Sequence, residues 1–132
     1  MHRPRILIAD DDPMIRDMAC RALESGSYEV QAVSNGETCL AAAMREQPDL
    51  LLLDTLLPDC DSLEIARQLR SQPATRSIPI IALTGFRGAN GSGQWYLNGH
   101  AEDVQVEDYA AKPFSPDLLL SKVRHVLERH SG

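Results

Sequence analysis

The chain has 132 residues, 43% of them hydrophobic and 24% charged. That is the length and balance of one globular domain, able to bury roughly two thirds of its unfolded surface. Its 13 basic and 19 acidic side chains give a net charge of −6, which offers nucleic acid phosphates no general attraction and argues against direct DNA or RNA binding. Cys20, Cys39 and Cys60 are odd in number and lack CxxC spacing, which argues against a disulfide framework or a zinc knuckle and fits a reducing cytoplasm.

Met1 to Pro4 leads into an apolar run, Ile6 to Ala9, too short for a signal sequence or a membrane span. Such a short run predicts a strand buried on both faces, β1 (6–9). Asp10, Asp11 and Asp12 follow it. Asp12 before Pro13 predicts an N-cap with proline at the first helical position. Met14, Ile15, Met18, Ala19, Ala22 and Leu23 supply the apolar face of that helix. Tyr28, Val30 and Ala32 alternate with Glu29, Gln31 and Val33, the pattern of an edge strand, β2 (28–33).

After Ser34-Asn35-Gly36 a second helix is marked by Leu40, Ala43 and Met44. Leu50 to Leu53 predicts β3 (50–53), with Asp54 directly after it. Leu63, Ala66 and Leu69 mark a third helix that Pro73 helps to end. Ile78 to Leu83 predicts β4 (78–83), followed by Thr84. The stretch from Gly85 to His100 holds five glycines and no sustained helical period. At about 1 kcal/mol per glycine relative to alanine, it is expected to be a loop, with at most a short helix at Gln94 to Leu97. Lys112 precedes Pro113 where a final strand should end. Ser115 and Pro116 then open a last helix with Leu119, Val123, Val126 and Leu127 inward.

Buried strands alternating with amphipathic helices imply right-handed crossovers and a doubly wound α/β sheet with helices on both faces. Ligands in such sheets lie beyond the carboxyl ends of the strands. Asp10, Asp11, Asp54, Thr84 and Lys112 all fall there. One aspartate after a strand is an ordinary turn residue, and Asp12 is read as a cap, but five polar residues at one edge form a site. Three gathered carboxylates raise one another's pKa unless a cation joins them. A few carboxylates with room for water and phosphate suit Mg²⁺. The metal would offset the charge of an incoming phosphoryl donor, Lys112 and Thr84 would hold its oxygens, and the Asp54 carboxylate would be the nucleophile.

Through Ile6-Leu7-Ile8-Ala9-Asp10-Asp11-Asp12-Pro13, Leu51-Leu52-Leu53-Asp54, Leu83-Thr84-Gly85 and Lys112-Pro113-Phe114, the sequence resembles the receiver domain of bacterial two-component response regulators over nearly its whole length. The resemblance implies one receiver domain over 1–132, with a core at about 4–129. It also implies a five-stranded parallel sheet in the flavodoxin-like order 2-1-3-4-5. Asp11 would bind Mg²⁺ directly and Asp10 through water. Asp54 would be both ligand and phosphoacceptor, and Leu56 would lend its backbone carbonyl. Thr84 would follow the phosphoryl group, Lys112 would pair with it, Tyr109 would switch rotamer, and the Lys112-Pro113 bond would be cis. The donor would be a phosphohistidine on a sensor histidine kinase or phosphotransfer protein. The chain would act as a cytoplasmic monomer or weak dimer, and its downstream partner is not written in these residues.

The sequence departs from that family in two places. Asp59 and Ser62 stand where glycines are usual, which predicts a strained or reshaped loop after β3. The glycine-rich 85–100 segment replaces the family's clear fourth helix, and is expected to be irregular and, with Trp95 and Tyr96, to order on phosphorylation at a partner site. Leu56 and Phe86, both apolar, offer no hydrogen bond to an attacking water, so self-dephosphorylation is expected to be slow. Two other readings stay open: a pseudo-receiver that signals without phosphate, which intact Asp54 and Lys112 oppose, and an aspartate-nucleophile phosphatase, whose second acid is missing because Leu56 occupies its position. The chain is expected to catalyse only its own phosphorylation and dephosphorylation. His2, His100, His125 and His130 show no ligand spacing.

Overall fold

The computed structural model describes residues 3–84 and 106–131. Five parallel strands form one sheet in the order β2-β1-β3-β4-β5. They are β1 Arg5–Ala9, β2 Glu29–Val33, β3 Leu50–Asp54, β4 Ile80–Thr84 and β5 Asp108–Ala111. The helices are α1 Pro13–Ser25, α2 Gly36–Glu46, α3 Ser62–Ser71 and a last helix, Pro116–Ser131. Order and strand direction are those implied by the resemblance.

The apolar runs do what their composition requires. β3 sends Leu51 and Leu53 into a core shared with α2 and α3. Its Leu50 and Leu52 enter a second core with α1 and the last helix. β1 divides in the same way, Leu7 and Ala9 to one side and Ile6 and Ile8 to the other. With a side chain buried on each face at every step, β1 and β3 cannot slip by one residue without exchanging their two cores.

Caps fix where the helices begin. Asp12 accepts from the Met14 amide ahead of Pro13, Asn35 from Thr38, and Asp61 from Leu63. The Ser115 hydroxyl accepts from the Leu118 amide at 3.0 Å. Each supplies an acceptor for a first-turn N–H that the helix cannot satisfy itself.

Several expectations need correction. The inward face of α2 is Cys39, Ala42 and Ala43, while Met44 is exposed and Leu40 half-buried. The helix is turned so that small residues meet the sheet. Met14, in the first turn of α1, is 78% exposed. Ala32 is exposed, whereas Val30 and Val33 half-cover opposite faces of the edge strand. β4 starts at Ile80 rather than Ile78 and includes Thr84. The loop after β3 is not forced into left-handed backbone: among the described residues the non-glycine positions with positive φ are Ser27 and Gln47. Asp59 instead turns its carboxylate onto α2, accepting from the Gly36 amide at 2.7 Å and the Glu37 amide at 3.0 Å.

The Lys112-Pro113 peptide bond is cis, as expected. The expectations for Phe86, Trp95, Tyr96, a short helix at Gln94 to Leu97 and the irregular 85–100 segment lie outside the described residues. Among the described residues, no helix is long and apolar enough to cross a membrane.

Candidate functional site

Asp54 is the last residue of β3 and stands opposite Leu83 of β4. Asp10 and Asp11 follow β1, the neighbouring strand on the other side. The sheet therefore delivers all three carboxylates to one edge, where each can place an oxygen within 4.8 Å of the others. Asp10 and Asp54 are 0% and 2% exposed, whereas Asp11 is open to solvent.

Lys112, just past β5, sends Nζ between the buried pair, 2.7 Å from Asp10 Oδ2 and 3.5 Å from Asp54 Oδ1. Its backbone N–H donates to the Thr84 carbonyl at 2.9 Å, which seats it at the end of β4. Burial works to lower the Lys112 pKa, but the hydrogen bond to Asp10 and the charges of Asp54 and Asp10 outweigh it, and the net shift is upward. The ammonium therefore stays charged.

Asp54 Oδ1 also accepts from the Leu56 amide at 3.1 Å. Burial nevertheless pushes the Asp54 pKa up to about 6, with Asp10 and Asp11 adding to the rise while the Leu56 N–H and Lys112 oppose it. Three carboxylates and one ammonium leave two negative charges on an oxygen-only donor set. Those residues fit a hard divalent cation such as Mg²⁺, whose charge would match the excess.

Two further residues hold the main chain of the site. Arg16 Nη1 of α1 donates to the backbone carbonyl of Asp10 at 2.8 Å. Buried Ser62 donates its hydroxyl to the backbone carbonyl of Asp54 at 2.5 Å. Neither role was readable in the sequence, since a bond to a main-chain carbonyl leaves no motif. Asp12, read as a cap, also donates its amide to Asp10 Oδ1 at 3.0 Å.

Thr84 is buried, and among the described residues its hydroxyl makes a long 3.5 Å bond to the Ala110 carbonyl. Leu56 is 64% exposed, while its amide keeps its backbone beside Asp54. Tyr109 lies half-buried on edge strand β5, opposite Ala82 and two residues before Ala111, the partner of Thr84. Asp10, Asp11, Asp54 and Lys112 are thus brought together, with Thr84 and Leu56 at the same edge.

The description of the response regulator receiver domain matches residues 6–124. The chain belongs to that family. This receiver domain is 40% identical over 126 residues to the DNA-binding dual master transcriptional regulator RpaA of Synechocystis, covering 96% of this chain and 50% of that protein. It is also 40% identical over 124 residues to the phosphate regulon transcriptional regulatory protein PhoB of Pseudomonas aeruginosa, covering 94% and 52%. It therefore spans about half the length of these relatives. A CheY-like response regulator receiver domain protein from Methanospirillum hungatei superposes with a TM-score of 0.85 at 27% identity, covering 98% of both chains. The chemotaxis response regulator CheY4 of Vibrio cholerae gives 0.82 at 25% identity, covering 95% of this chain and 99% of that one.

Proposed function

We propose that this receiver domain accepts a phosphoryl group on Asp54, in a Mg²⁺-dependent reaction, from a phosphohistidine on a sensor histidine kinase or phosphotransfer protein. The observation that carries the reading is the Asp54 carboxylate, 2% exposed, held between two further aspartates and Lys112. Asp54 Oδ1 takes the Leu56 and Lys112 contacts, which leaves Oδ2 as the attacking oxygen. A new O–P bond forms there as the P–N bond to the donor breaks, and the imidazole leaves with the donor protein.

Asp10, Asp11 and Asp54, with the Leu56 carbonyl, would hold Mg²⁺, which supplies charge stabilisation to the transferring group. The Lys112 ammonium is already 3.5 Å from Asp54 and can pair with the phosphoryl oxygens once they arrive. The weakly held Thr84 hydroxyl can turn from Ala110 toward them, and Tyr109 responds on the adjoining strand. The exposed Leu56 side chain offers no hydrogen bond to water, so the adduct should decay slowly.

The domain acts on itself rather than turning over an external phosphate ester. It works as a cytoplasmic switch for protein partners, and the net charge of −6 argues against nucleic acid contact by these residues. Intact mass after incubation with a small phosphoryl donor tests the reading. Wild type should gain one phosphoryl group only when Mg²⁺ is present, and Asp54→Ala none. An unmodified wild type, or an Asp54→Ala variant modified equally, rejects it.

A further inference from the structure

Ser62 opens α3, yet its side chain does not serve that helix. The N-cap is Asp61, whose carboxylate accepts from the Leu63 amide at 3.0 Å. The Ser62 hydroxyl, 1% exposed, reaches back eight residues to the Asp54 carbonyl oxygen at 2.5 Å. That carbonyl lies just beyond the final rung between β1 and β3, Ala9 with Leu53. A buried carbonyl in that position needs a donor, because an unpaired one costs about as much as a lost hydrogen bond.

The direction of the Asp54 carbonyl is set by the ψ angle of Asp54, and ψ also sets the course of the chain through Thr55 to Leu56. A donor fixed on α3 therefore holds both the strand end that bears the carboxylate and the backbone that follows it. The far side of the same loop is pinned separately, by Asp59 on the Gly36 and Glu37 amides at the start of α2. The Leu56 amide, 3.1 Å from Asp54 Oδ1, lies between these two anchors.

We propose that Ser62 is a positioning residue for the metal site: its hydroxyl locks the Asp54 main chain, so that the Asp54 carboxylate and the Leu56 backbone are already aimed at Mg²⁺ before the ion arrives. This rests on the reading of Asp54 as a metal-binding phosphoacceptor. Outer partners that orient ligands govern affinity even though they never touch the ion.

Titration calorimetry with Mg²⁺ alone, on wild type, Ser62→Ala, Ser62→Gly and Asp61→Ala, tests it. Both Ser62 variants should bind Mg²⁺ roughly tenfold more weakly than wild type. Glycine removes the same hydroxyl with no demand on space, and so stands in if the alanine variant fails to fold. Asp61→Ala should lower the thermal midpoint through loss of the α3 cap, yet bind Mg²⁺ as wild type does. Ser62 variants that lose thermal stability but keep wild-type Mg²⁺ affinity overturn the proposal and make Ser62 merely structural. A wild type that binds no Mg²⁺ overturns the underlying reading, and this inference with it.

Discussion

Without a metal, the buried Asp54 carboxylate is a cost to the fold, and its pKa of about 6 against an ordinary 3.8 gives the sign. The folded chain holds this proton more tightly than the unfolded one, so stability from this group rises as pH falls from about 6 toward 3.8, and the whole penalty is present above 6. Asp54→Asn should therefore stabilise the metal-free protein at pH 7.5 by at most ~3 kcal/mol, and the gain should shrink on acidification through pH 6. Urea midpoints of both proteins in chelator across that range check it, and a gain that does not change with pH contradicts it. Asp10, Asp11 and Asp54 were legible in the sequence because each ends or follows a continuous apolar run that had to be buried, and Lys112 because it precedes Pro113 where a final strand should end. The roles of Arg16 and Ser62 were not, since both act on main-chain carbonyls, and Ser62 stood out only as a departure from the family's usual glycine. The mutual repulsion of the acids was anticipated, but not that Lys112 would offset it by binding Asp10 more closely than Asp54.

Among the elements, α2 and the loop after β3 are locked together at Gly36. A Cβ added there would meet Cys60 Sγ at 1.9 Å and Ile65 Cδ1 at 2.5 Å, while the Gly36 amide already donates to Asp59. Gly36→Ala should therefore cost about 1–3 kcal/mol through overpacking, despite alanine's better helix propensity. Chemical denaturation measures this, and an unchanged midpoint would mean that the loop yields freely. Strands β1, β3 and β4 were readable as continuous apolar runs because both their faces are covered. β5 was not, since Asp-Tyr-Ala-Ala at a sheet edge has too little apolar side chain to form a pattern. On α2 the reading placed Ala43 and Leu40 against the core correctly, but took Met44 for an inward residue because it outweighs Cys39 and Ala42 in hydrophobicity, while those smaller residues are the ones buried.

Across the whole molecule, stability and chemistry sit at opposite ends of the sheet. At the amino end, Glu107 accepts from the Ile80 amide at 2.6 Å and pairs with Arg70 at 3.3 Å, while Arg70 donates to the Ile78 carbonyl at 2.6 Å. This ties the end of α3 to the start of β4 and β5. Glu107→Ala should cost about 2 kcal/mol by leaving the buried Ile80 amide unsatisfied, and should leave Mg²⁺ affinity unchanged because the acidic site lies at the carboxyl edge. Parallel denaturation and Mg²⁺ titration of that variant separate the two ends, and weakened Mg²⁺ binding would contradict the separation. The central claim is that Asp54 is the acceptor, and its most direct measurement is chemical. After treatment with a small phosphoryl donor and Mg²⁺, borohydride reduces an aspartyl phosphate to homoserine, which peptide mass mapping can locate. Homoserine at position 54 alone is the predicted result; homoserine at position 10 or 11, or at none of the three, would contradict the account.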